Sequence, residues 1–173
     1  MIDTIKPANI WHIDPAERVP IPFYQSPVSA GFGNPAENYL RARLSLDQLC
    51  IEHPDASYFV EVDGDSMIAD DIRPGSILVV DASHTVETGK IIVCWVNGEC
   101  YAKRFVRFER MIALFPSNPD YLPIYVHLDI DQFSVLGVVI RIVSKPPKWD
   151  SEQTKSAINH VRTYRRERNV REL

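Results

Sequence analysis

Two runs rich in β-branched and aromatic residues, Ile91 to Val96 and Glu99 to Phe108, are separated only by Asn97-Gly98. An Asn-Gly link of this length favours a type I′ turn, which sends the chain back beside itself. The middle of the chain is therefore committed to an antiparallel hairpin. Similar runs flank it: Tyr58 to Val62, ending at Asp63-Gly64; Ser76 to Asp81, after Arg73-Pro74-Gly75; Met111 to Phe115; and Ser134 to Val143. Six strands with mostly short links predict a mostly β fold, a compact bent antiparallel sheet.

The flanks read differently. Residues 1–34 carry prolines at 7, 15, 20, 22 and 27 and glycines at 31 and 33. Proline lacks a backbone donor and biases its predecessor away from helix, so an extended arm is expected. Short helices are expected near Ala36 to Arg43 and after Ser45, an N-cap residue, through Ile51. Beyond Lys145-Pro146-Pro147-Lys148, Asp150 and Gln153 have capping-box spacing. Ala157, Ile158, Val161 and Tyr164 recur at helical spacing, predicting a basic amphipathic helix over Ser151 to Arg168. The expected division is an arm over 1–34, a β body over 35–145 and a helical tail over 146–173.

The 173 residues suffice for a buried core, and 45% hydrophobic with 24% charged residues is ordinary for a globular chain. The net charge of -4 is uneven: 13 basic and 20 acidic residues fall in the first 150, six basic and three acidic in the last 23. An acidic body lacks the clustered basic face that phosphate contacts require, so sequence-specific DNA binding is not expected. No apolar run reaches membrane-spanning length and no signal-peptide pattern opens the chain, giving a cytoplasmic expectation with no membrane partner. Cys50, Cys94 and Cys100 cannot all pair with one another and form no Cys-x-x-Cys motif. His12, His53, His84, His127 and His160 show no local ligand spacing, so neither a metal nor a cofactor is expected.

Val62-Asp63-Gly64-Asp65-Ser66-Met67 ends a strand in a tight turn that presents Ser66, with the N–H groups of Asp65 and Ser66 available to an oxyanion. A serine nucleophile needs a base. Lys103, between Tyr101 and Phe105 at strand spacing, is the residue suited to it: desolvation favours the neutral amine. Taken singly, a Gly-Asp-Ser turn and a strand lysine are more often structural than catalytic.

Together, Gly64-Asp65-Ser66-Met67, Arg73-Pro74-Gly75 with the strand to Asp81, Lys103 and Gly137-Val138-Val139-Ile140 resemble the LexA/UmuD family of Ser-Lys self-cleaving peptidases. Ser29-Ala30-Gly31-Phe32 and the stretch from Tyr39 to His53-Pro54 resemble its UmuD-type branch. The resemblance spans about Ile5 to Lys145. It implies a LexA/signal-peptidase-like sheet, Ser66 as nucleophile, Lys103 as general base and Ala30-Gly31 as the scissile bond. It also implies cleavage stimulated by a RecA filament on single-stranded DNA in the SOS response. The processed homodimer would then serve a UmuC-like Y-family translesion polymerase, with contacts to a sliding clamp and replicative polymerase subunits. The tail has no counterpart in the resemblance. Competing readings are a LexA-like or phage-type repressor, which needs an N-terminal helix-turn-helix, a membrane-anchored signal peptidase, and a non-cleaving binding module on the same fold.

Overall fold

The computed structural model describes residues 10–12, 21–24 and 40–171. Ten strands are present among them: β1 Ile10–His12, β2 Ile21–Tyr24, β3 Leu40–Leu44, β4 Ser57–Glu61, β5 Ile77–Asp81, β6 Ile91–Val96, β7 Glu99–Phe108, β8 Met111–Phe115, β9 Ile124–His127 and β10 Phe133–Val143. Two helices join them, α1 Leu46–Cys50 and α2 Ser151–Arg171. Eight strands form one antiparallel sheet in the order β1-β4-β5-β10-β6-β7-β8-β9, and β2 pairs with β3 separately. The fold is mostly β, as expected.

The Asn97-Gly98 turn closes the β6–β7 hairpin with both residues at positive φ, 51° and 88°, as a type I′ turn demands. β10 lies centrally, pairing with β5 through one part of its length and with β6 through another. Register shifts between Val135 and Gly137 and between Val139 and Arg141 bend it. At the bend, a Cβ on Gly137 would stand 2.5 Å from the Asp81 carbonyl oxygen, so only glycine lets the two backbones approach this closely. The curled sheet buries two apolar clusters. One gathers Val60, Met67, Ile72, Leu78, Val93, Cys100 and Ala102; the other gathers Ile92, Cys94, Tyr101, Phe105, Leu114 and Val126. Alternate residues of β7 enter different clusters, so both its faces are buried there.

One expectation is corrected. The helix over Ala36 to Arg43 is replaced, where the chain is described, by β3, paired antiparallel with β2. Leu40, Ala42 and Leu44 alternate with Arg41 and Arg43, a period of two, and a partner strand makes that pattern prevail over the good helix propensity of the same residues. The second helix forms as expected: Ser45 Oγ accepts from Gln48 N–H while the Gln48 side chain accepts from Ser45 N–H. The helix stops at Cys50, one residue short of the expected end. Strands β1, β2 and β9 were not anticipated; β1 and β2 fall in the stretch expected to be an extended arm, and they pair with β4 and β3 respectively. The tail helix begins with the reciprocal Asp150–Gln153 box and runs three residues past Arg168. Its Ile158, Val161 and Tyr164 are exposed rather than packed on the body.

Candidate functional site

Ser66 follows the end of β4, at the head of a tight turn that continues as a single 3-10 turn, Ile68–Asp70. Lys103 occupies the middle of β7, in register with Ile92 of β6. The two residues are 37 apart in sequence and both are 3% exposed. The fold brings them together: Lys103 Nζ donates a hydrogen bond to Ser66 Oγ. The same amine donates to the Ala102 carbonyl at 3.2 Å and stands 5.9 Å from the centre of the Tyr101 ring.

The serine loop is fixed from the opposite side. β8 pairs with β7, and the chain leaving β8 brings Ser117 and Asn118 over the turn. Their N–H groups both donate to the Ser66 carbonyl at 3.0 Å. Asn118 Nδ2 donates to the Asp65 carbonyl at 3.3 Å, and Tyr121 O–H to the Asp65 carboxylate at 2.5 Å. Asp70 N–H donates to Ser117 Oγ at 3.2 Å. Arg104, the neighbour of Lys103, donates to the Asp70 carboxylate at 2.5 Å and to the Gly89 carbonyl. The strand carrying the lysine thus holds the loop carrying the serine twice, directly through Arg104 and through its partner strand. A trans peptide sets its C=O and N–H on opposite sides, so tying down the Asp65 carbonyl also fixes the direction of the Ser66 N–H.

A hydroxyl beside a buried amine can be deprotonated by it and attack a carbonyl carbon. The nearby thiols are poor alternatives. Burial pushes Cys94 up to about 12, assisted by Cys100 and only partly offset by Lys103. Burial likewise pushes Cys100 up to about 11, against a hydrogen bond from the Tyr101 backbone. Both remain protonated, and so weakly nucleophilic, at neutral pH.

Ser66 and Lys103, weak signals singly and paired in the sequence through the family resemblance, are adjacent in the fold. Asp65 is adjacent to Ser66 in the same loop. Ala30 and Gly31 lie outside the described residues. Sequence reasoning missed the supporting set, Asp70, Arg104, Ser117, Asn118 and Tyr121. Ser117-Asn118-Pro119 is a turn signal, but nothing local says which loop it would support. It also missed a cluster of Glu52, His53 and His84, whose ligand atoms come within 4.8 Å of one another. No helix among the described residues is long and apolar enough to cross a membrane.

Comparison with known proteins identifies the family. The family described as Peptidase S24-like matches residues 22–140. Protein MucA of Salmonella typhimurium is 37% identical over 140 residues, covering 80% of this chain and 95% of its own. Protein SamA of Salmonella typhimurium strain LT2 is 33% identical over 129 residues, covering 75% of this chain and 89% of its own. A LexA repressor of Acidithiobacillus ferrooxidans is 38% identical over 118 residues, 67% of this chain but 57% of the repressor. With the family match running across most of its length and these relatives aligned over two thirds or more of it, the chain belongs to the Peptidase S24-like family, as a UmuD-like member of the LexA/UmuD group.

Proposed function

We propose that this chain is a Ser-Lys self-cleaving protein of the SOS DNA-damage response, which cuts its own Ala30-Gly31 bond when a RecA filament on single-stranded DNA stimulates it. The observation that carries the reading is the buried hydrogen bond between Lys103 Nζ and Ser66 Oγ. In the neutral form, Lys103 takes the Ser66 hydroxyl proton as Oγ attacks the Ala30 carbonyl carbon. The N–H groups of Asp65 and Ser66 receive the oxyanion. The intermediate collapses, the C–N bond breaks, and the Lys103 ammonium returns its proton to the departing Gly31 amine. Water, deprotonated in turn by Lys103, hydrolyses the Ala30 ester and frees Ser66. The products are residues 1–30 and 31–173.

In this reading, residues 1–34 are a cleavable arm, 35–145 the peptidase body and 146–173 a tail. The processed chain acts as a homodimer that regulates a UmuC-like Y-family polymerase in translesion synthesis in the cytoplasm. Its likeness to MucA and SamA along nearly their whole lengths supports a UmuD-like role over a repressor one.

The test is incubation of the purified chain with RecA, an ATP analogue and single-stranded DNA, and separately at mildly alkaline pH. Mass spectrometry should find Gly31 as the new N-terminus in both. Ser66→Ala and Lys103→Ala should abolish the cut. The unstimulated rate should rise with pH, because the deprotonated amine is the active base. An intact chain under both conditions, or the same cut in Ser66→Ala, refutes the mechanism.

A further inference from the structure

Away from Ser66, the segment after α1 meets the end of β5 and the turn that follows it. Asp81, the last residue of β5, is fully buried. His53 Nδ1 donates to Asp81 Oδ2 at 2.7 Å, and Ser83 donates to Asp81 Oδ1 through its hydroxyl at 2.6 Å and its N–H at 2.8 Å. The Asp81 carboxyl group thus orients the His53 ring through Nδ1, the relation in which a metal-bound histidine is commonly found.

His84 supplies the second observation. Its Nε2 lies 3.3 Å from Glu52 Oε2 and 3.7 Å from Asp81 Oδ2. Yet Nε2 is buried and makes no hydrogen bond. A ring nitrogen facing two carboxylate oxygens without bonding to either is suited to a cation between them. Two ligands of a tetrahedral zinc ion, with bonds of about 2.0–2.1 Å, stand about 3.3–3.4 Å apart. The Glu52–His84 pair is already at that spacing. The His53 and His84 ring centres lie 5.9 Å apart, and the ligand atoms of Glu52, His53 and His84 all fall within 4.8 Å of one another. Arg141 stands 3.7 Å from the other Glu52 oxygen, Oε1, and so leaves Oε2 to the site.

We propose that Glu52, His53 and His84 form a binding site for a divalent transition-metal ion of the Zn²⁺ type, with Asp81 as the buried carboxylate that orients His53. Two imidazoles and one carboxylate favour such an ion over Mg²⁺ or Ca²⁺, which prefer oxygen ligands throughout. The ion would clip the α1–β4 connection to the far end of β5, joining chain positions about 30 residues apart.

The test is calorimetric titration of the full-length chain carrying Ser66→Ala, which keeps it in one piece, with Zn²⁺ and separately with Mg²⁺. One Zn²⁺ should bind per chain, Mg²⁺ should give no heat, and Zn²⁺ should raise the melting temperature. His84→Ala should weaken Zn²⁺ binding by more than the ~10–100-fold that loss of an outer-shell partner costs. If His84→Ala fails to fold, Glu52→Gln, on an exposed side chain, decides the matter with the same expectation. Cys50→Ser should bind as the parent does. Absence of Zn²⁺ binding, equal binding after Glu52→Gln, or loss of binding in Cys50→Ser overturns the proposal.

Discussion

Replacing Arg104 with alanine removes one end of the bond that ties β7 to the turn behind Ser66. Its partner, Asp70, is 22% exposed, and Arg104 is 40% exposed. A hydrogen bond to a charged group contributes about 1.5–3 kcal/mol when well shielded. Solvent screening at these exposures reduces the figure to about 1–2 kcal/mol. The second Asp70 oxygen is buried without a hydrogen bond, so the carboxylate depends heavily on this arginine. If the whole loss falls on the position of Ser66, self-cleavage slows by ~5- to 30-fold, since about 1.4 kcal/mol is a factor of ten in rate. The assay pairs denaturant unfolding with single-turnover self-cleavage in Arg104→Ala, Asp70→Ala and the double variant. The double variant should lose less than the sum of the singles, with a coupling of about 1 kcal/mol. Additive losses would show that the pair does not act as a unit. Lost stability with an unchanged cleavage rate would show that the brace serves the fold and not the serine.

Three other outcomes follow from the structure. Thiols held near 11 and 12 stay protonated at pH 8, so a thiol reagent should modify half-exposed Cys50 promptly and Cys94 and Cys100 only on unfolding; rapid modification of all three in the folded chain contradicts the burial. Gly137→Ala forces a methyl group against the Asp81 backbone and should cost about 1–3 kcal/mol, read as a lower denaturation midpoint. Deleting the chain beyond Lys145 should leave body stability within about 0.5 kcal/mol, because the α2 apolar residues are exposed; a large fall in melting temperature would mean that the helix is part of the folded unit.

Local chemistry was the legible part of this chain. Asn97-Gly98, the Ser45 N-cap and the Asp150–Gln153 box are each decided within four residues, and each formed as expected. Leu40–Leu44 misled because its residues suit a helix, and its strand state depends on a partner about 20 positions earlier. Ile124–His127 is only four residues long and stands at the sheet edge, where a short run carries little signal. Ser66 and Lys103 stood out through their neighbours. Asn118 and Tyr121 did not, because a loop that supports another loop has no periodicity of its own. Glu52, His53 and His84 were invisible for a related reason: Asp81-Ala82-Ser83-His84 reads as an ordinary turn until α1 delivers the other two.

Lys103 belongs to a strand whose neighbouring side chains, Ala102 on one face and Tyr101 and Phe105 on the other, are built into separate clusters. Such a strand opens only when the whole domain opens. The amide of Lys103 should accordingly be among the last in the protein to exchange its hydrogen for deuterium, on the timescale of global unfolding. As the base of the proposed cleavage, a residue anchored this way is a poor moving part. Its availability is as constant as the fold, and timing has to come from whatever peptide is delivered to it.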